Sequence, residues 1–412
     1  MNHFIRNARL PRWLLPPSWP ETDGGSALAA LEITGGRILS VTPETSRQIS
    51  ATSLDIGGAL VLPGLIEAHA HLDKALTRSR LGVLQPGLLA AIQAMQNDRR
   101  RWTDDDLRAR ARCSLDMAMA RGVTRLRTHV DWWSVEPPPA WHVLGDLAHE
   151  WQDGIRLERV ALAPLPLFDS RDHASVIAAH VRRSNDAMLG GFIHTSNYDA
   201  QAVDRLIDAA AEHELDLDLH VDEELDPFAR GFEHVIHRVL ETGHAGRVVC
   251  AHVCALAARQ DEAEAFALLD ELALTRITLM ALPSTNLLLQ DASEGRTPRR
   301  RGLTLLKEAR ARDIPVMIAN DNVQDAFCPL GVFDPVDALR LAVLAAQLSE
   351  PFDVWSQSIC RADWLDTRPE AKPTPVGQPA DLVVFADADP YTWPANPSRR
   401  VLRARDFPWS DK

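Results

Sequence analysis

Eight short apolar runs recur along this chain, separated by stretches that read as amphipathic helix. The runs cover 59–69, 124–131, 157–166, 190–195, 215–223, 247–253, 276–283 and 315–321. Helical patterns fall between them, for example over 199–214 and 301–313. Buried strands alternating with helices imply a parallel sheet. Eight such units in roughly 300 residues suggest a (β/α)₈ barrel of the TIM type. A doubly wound sheet fits the same periodicity. The chain has neither a G-x-G-x-x-G turn nor a G-x-x-x-x-G-K-[ST] loop, so no nucleotide-phosphate cradle is expected.

The two ends of the chain have a different texture. "ALAALEITGGRILSVTP" reads as two strands around Gly35-Gly36, and "ADLVVF" and "RRVLRAR" near the other end are also strand-like. Residues 1–60 and 370–412 are therefore expected to form one small β-sandwich beside a barrel of residues 61–369. The Pro-rich stretch 368–379 is the expected linker between them.

All but one of the eight runs end in polar residues. These are His69 and His71; Arg127, His129 and Asp131; His194; His220, Asp222 and Glu223; His252; Asn286 and Gln290; and Asp321 with Asn322. In a barrel these ends meet on one face, where catalytic residues lie. His69 and His71 are two apart on a strand and so share a side. With a third nitrogen from His220 and an oxygen from Asp321 they can complete an N₃O shell for one divalent ion, Fe²⁺ or Zn²⁺. Such a shell leaves a position open for water. Cys250, His252 and Cys254 also share a strand face, but a lone C-x₃-C is a weak thiolate signal, and both cysteines read as small core residues.

Composition narrows the partners. A net charge of −13 argues against nucleic acid. The five scattered cysteines fit a reducing compartment rather than a disulfide framework. No 18-residue apolar window and no secretory leader pattern are present, so the expectation is a cytoplasmic chain with no membrane partner. Trp132-Trp133 reads as packing or as the mouth of a pocket, 296–302 as a solvated basic loop leading into a helix, and 97–108 as an exposed helix junction.

The motifs "LPGLIEAHAHLDK", "RTHVD", "LDLHVDE", "AHV", "TNLLLQ", "TPRRRGLTLLKE" and "ANDNVQDAFCPLG", followed by "GQPADLVVF", resemble the cytosine deaminase branch of the amidohydrolase superfamily. The likeness runs in order from about residue 5 to 405. It implies a distorted barrel with a small β-sandwich, and one catalytic iron or zinc ion on His69, His71, His220 and Asp321. It implies that Glu223 protonates a ring nitrogen, that Asp321 takes a proton from the attacking water, and that His252 orients that water. Binuclear relatives carry a lysine on the fourth strand; 188–200 has none, which favours a mononuclear site.

The chain departs from that branch where substrate is read. The glutamine expected after the third strand is replaced by Pro164-Leu165-Pro166, a second acid by Asn322, and a tryptophan by Phe327. Leu165, Asn322 and Phe327, with His194, are thus the expected substrate contacts. Losing a buried amide that reads a polar edge points to a different or less polar substrate. The resemblance implies an aminohydrolase deaminating a nitrogen heterocycle, a cytosine-like pyrimidine or a related ring. The alternatives are a cyclic-amide or N-substituted amine hydrolase on the same site, or a non-catalytic scaffold. The oligomeric state is left open.

Overall fold

The computed structural model describes residues 3–22, 25–45, 53–366, 373–395, 398–407 and 409. Eight parallel strands form one sheet in chain order: Leu65–Ala70, Val123–Asp131, Arg156–Pro164, Ala187–Ile193, Leu217–Val221, Val248–His252, Ile277–Ala281 and Val316–Ile318. The first and last strands meet at a single bridge between Ala70 and Asp321, where the Asp321 N–H donates to the His69 carbonyl at 2.9 Å. The sheet closes at this seam, and the seam is made by two of the expected metal ligands. A (β/α)₈ barrel is therefore the fold, and the doubly wound alternative falls away.

Helices between the strands cover the outside. Ala200–Glu212 is typical: Asp199 caps it by accepting from the backbone N–H of Gln201 and Ala202, and Val203, Leu206, Ile207 and Ala210 are fully buried. The helical pattern over 301–313 shortens to Leu306–Arg310. The segment ahead of it is held open, with Asp291 Oδ2 accepting from the backbone N–H of Arg299 and Arg300.

The terminal segments build two further sheets. One orders the strands Arg37–Pro43, Ala29–Thr34, His3–Ala8 and Ser53–Asp55; the other orders Arg400–Leu402, Leu382–Phe385 and Leu60–Pro63. They share one core of Ile5, Leu31, Ile33, Val61, Leu382, Val384 and neighbours. The apolar run 59–69 is thus two strands. Leu60–Pro63 pairs with Leu382–Phe385, and Leu65 begins the barrel. Between them, Gly64 packs so tightly on the Thr124 side chain that a Cβ there would lie 2.4 Å from it. Of the expected linker, 368–372 lie outside the described residues.

The barrel interior is divided. Ile66, Ala68, Val249, Ala251, Met280, Leu282, Met317 and Ala319 form an apolar half, plugged by Trp364 and Leu365. The other half is ionic. Arg127 Nε donates to Glu158 at 3.0 Å and its Nη1 to Asp218 at 2.7 Å, while Arg125 pairs with Glu158 at 2.7 Å. Among the described residues no helix is long and apolar enough to cross a membrane.

Candidate metal centre and catalytic cavity

The first barrel strand has an irregular register between Glu67 and Ala70. The bulge places Ala68 with the interior apolar cluster and brings His69 into the interior as well, its ring stacked on His129. His69 Nε2 lies 3.2 Å from His220 Nε2, and His220 Nε2 lies 3.3 Å from His71 Nε2. Asp321 Oδ1 is 3.1 Å from His71 Nε2 and 3.6 Å from His69 Nε2. The four potential ligand atoms all lie within 4.8 Å of one another, and the four residues are buried.

Whether this group suits a cation can be judged from its chemistry. Burial holds all three imidazoles well below their ordinary pKa; His129 beside them lowers them further, with Lys74 adding to the effect at His71, so they are neutral and carry free lone pairs. Neither carboxylate oxygen of Asp321 has a hydrogen-bond partner, although both are buried. Three neutral Nε2 atoms and one unsatisfied carboxylate aimed at one point are costly without a positive charge between them. With the ion present they are the N₃O donor set of a divalent metal.

Glu223 stands beside this cluster. Its carboxylate accepts from Asn286 Nδ2 at 3.2 Å and lies 3.3 Å from His252 Nδ1; its backbone carbonyl accepts from Gln290 Nε2 at 3.1 Å. Burial, reinforced by Asp321, raises the Glu223 pKa well above the carboxylate range. Burial lowers His252 to about 4. The backbone is strained at three positions in and beside this group: His252 and Asp321 both have φ of +69°, and Val253, a β-branched residue, has +47°. Asp222 fixes the loop that follows by accepting from the N–H groups of Gly231 and Phe232.

A cavity of about 390 Å³ opens over the cluster. His71, His220, Glu223, His252 and Asp321 form its floor. The apolar part of the walls is built by Leu88, Leu89, Ile92 and Met95 of the helix Leu88–Asp98, and by Trp132, Trp133, Pro164, Pro166 and Phe192, with Lys74, Gln96, Arg99 and Asp131 adding polar groups. Of the four expected substrate contacts, Asn322 and Phe327 line the cavity and two do not. Leu165 starts a 3-10 turn, Leu165–Phe168, that directs it into the core with 0% exposure, and the flanking Pro164 and Pro166 face the cavity instead. His194 sits just past its strand end, bonded to Ser196 Oγ at 2.9 Å, and Ser196 and Asn197 reach the lining in its place.

Several residues of the site carried no assigned role in the sequence. Lys74 is the clearest. Its Nζ lies in the lining, 2.8 Å from Asp131 Oδ1 and 5.1 Å from the centre of the Phe327 ring. Burial works against its charge, but Asp131 and Asp73 outweigh burial and raise its pKa. Lys74 belongs to the same short run as His71, yet nothing in that run shows which way its side chain turns. The helix 88–98 was equally silent, because its role depends on where it docks. Both tryptophans line the cavity: Trp132 is buried and packs edge-on against Trp141, and the more exposed Trp133 carries Arg99 over its ring at 4.3 Å. Cys250 and Cys254 are buried, burial pushes both thiols well up, and no metal-binding group among the described residues includes a cysteine.

Residues 151–351 match the Amidohydrolase family. A pterin deaminase of Rhizobium rhizogenes strain K84 is 34% identical over 385 residues, covering 93% of this chain and 87% of that protein. The chain belongs to the amidohydrolase family. It is a metal-dependent hydrolase of carbon–nitrogen bonds. It is also similar to the N-isopropylammelide isopropyl amidohydrolase of Pseudomonas sp. strain ADP, 24% identical over 371 residues and covering 87% of each chain. Among solved structures, the 5-methylcytosine deaminase from Klebsiella pneumoniae with bound 5-fluorocytosine superimposes with a TM-score of 0.79 at 25% identity, over 97% of this chain and 96% of that one.

Proposed function

We propose that the protein deaminates an amino-substituted nitrogen heterocycle, of the fused, pterin-like kind, at a single divalent metal ion on His69, His71, His220 and Asp321. The observation that carries the reading is the convergence of this N₃O group with Glu223 and His252 on the floor of one cavity. An ion held there supplies Lewis-acid activation of water. The chain's own residues do the rest. Glu223, at the cavity floor and held by Asn286, is placed to give a proton to the ring nitrogen beside the amine-bearing carbon, which makes that carbon electrophilic. Asp321 is placed to accept the proton released as water adds. His252 has its Nε2 free of any hydrogen bond and is placed to orient the attacking water. Return of the proton to the amine then lets ammonia leave.

Two observations support a fused ring over a single pyrimidine. The pterin deaminase is 34% identical across nearly the whole chain, against 25% for the structure with 5-fluorocytosine. The cavity of about 390 Å³ falls within the range of about 300–1,000 Å³ that encloses drug-sized ligands. The apolar part of its walls suits a flat aromatic face, and no amide stands where Pro164 and Pro166 line the cavity. The test is a panel of pterins, cytosine, 5-methylcytosine and N-isopropylammelide, offered to protein reconstituted with Fe²⁺ or Zn²⁺, with products read by mass. Ammonia release with highest kcat/KM on a pterin supports the proposal. Turnover confined to N-isopropylammelide with loss of isopropylamine, or ring opening by addition of water alone, refutes it.

A further inference from the structure

We infer that His129 is a positioning residue for the metal centre: Asp218 clamps it, and its ring face holds His69 in the orientation that aims Nε2 at the ion. The inference rests on the metal reading above.

Metal-binding histidines usually anchor their second ring nitrogen on a carboxylate or a backbone carbonyl, which fixes both tautomer and ring angle. Here Nδ1 of His69 and Nδ1 of His220 are buried and make no hydrogen bond. The torsion that turns an imidazole about its own axis is soft, so something else must set the ring angle. For His69 that is His129. The two rings stack with centroids 3.8 Å apart and planes 27° apart. His129 is fully buried and also meets His220 edge-on, with centroids 4.8 Å apart.

His129 is itself held. Its Nε2 lies 3.1 Å from Asp218 Oδ1, and an ionised carboxylate only accepts, so the proton on this nitrogen points at Asp218. The other Asp218 oxygen accepts from Arg127 Nη1 at 2.7 Å, and Arg127 Nε donates to Glu158 at 3.0 Å. A rigid chain thus runs from the ionic half of the barrel to the underside of the ligand cluster. His69, His129 and Asp218 also come close enough to form a metal-binding group of their own. Both Asp218 oxygens already have donors, however, so this trio is a support and not a second ion site. Replacing such an ionic chain by apolar residues is often neutral or stabilising, so its place beneath the metal ligands calls for a role in geometry.

The test compares His129→Gln and His129→Phe with wild type, both loaded with Co²⁺. Metal affinity is measured by competition with a chelator, the visible Co²⁺ spectrum reports ligand geometry, and urea unfolding of the metal-free proteins reports simple packing loss. The expected result is about 10–100-fold weaker metal binding and an altered Co²⁺ spectrum in both variants, with a fall in kcat larger than any change in KM. Asp218→Asn, which keeps shape and removes the anion, is expected to shift the spectrum in the same direction. Variants that unfold more easily but bind Co²⁺ with wild-type affinity and spectrum make His129 an ordinary core residue and overturn the inference. Wild-type protein that binds no Co²⁺ overturns the metal reading itself, and this inference with it.

Discussion

In the ionic half of the barrel interior, Arg127 lies between Glu158 at 3.0 Å and Asp218 at 2.7 Å, and Arg125 reaches Glu158 at 2.7 Å. At the open end, three imidazole Nε2 atoms face one another at 3.2 and 3.3 Å, and an aspartate whose carboxylate oxygens make no hydrogen bond stands beside them. Both regions are buried, the first built from strand residues and the second from residues in or just past the strand ends. In the first, every strong charge has a partner in the chain, so the group is complete when folding ends. In the second, the polar atoms converge on a point that no side chain fills. A network whose charges pair within the chain reads as support, and a convergent set of imidazole nitrogens with a carboxylate reads as the donor set for a cation.

The contrast can be broken most forcefully at the open end. His71→Ala removes one of the three nitrogens and is expected to abolish bound metal and reduce turnover to background, as read by metal analysis and ammonia release. Glu223→Gln is expected to keep metal but lower kcat by about 10²–10⁴-fold, because it removes a proton donor and no ligand. Equal metal content and rate in these two variants would erase the distinction between ligand and proton carrier.

The paired region should respond in stability instead. Glu158→Ala leaves Arg127 and Arg125 without a shared partner and is expected to cost about 3–5 kcal/mol in urea unfolding of the metal-free protein. Burial opposes ionisation of Glu158, but the guanidinium groups of Arg127, Arg125 and Arg156 outweigh it and bring its pKa down to about 2, from an ordinary 4.5. A carboxylate depressed in the folded state contributes stability above the unfolded pKa and loses it as pH falls through the folded one. The stability gap between wild type and Glu158→Gln is therefore expected to be constant above pH 4.5 and to shrink between 4.5 and about 2. The smallest effect belongs to a surface pair. Arg112→Ala, which removes the half-exposed bridge to Glu150 at 2.8 Å, is expected to cost under about 1 kcal/mol.

The same contrast separates what could be read in the sequence from what could not. The eight strands were legible because apolar runs and helical periods are local, and the convergence of His69, His71, His220 and Asp321 was legible because a parallel barrel brings strand C-termini to one face. Gly64 was not, since the split at 59–69 comes from a close approach to Thr124, which only the fold reveals. Leu165 was named where its neighbours Pro164 and Pro166 do the lining, because a single 3-10 turn decides which side chain faces inward. His129 stood in plain view at a strand end, but its partner Asp218 is 89 residues away, and only their meeting shows what the imidazole supports.

Deamination is proposed to depend on one ion held by His69, His71, His220 and Asp321. The most direct test of this dependence is a titration of chelator-stripped protein with Fe²⁺ or Zn²⁺, following ammonia release from a pterin substrate as metal is added. The predicted result is no turnover without metal and a linear rise that ends at one ion per chain. Ammonia release that survives stripping, or a rise that continues to two ions per chain, would contradict it.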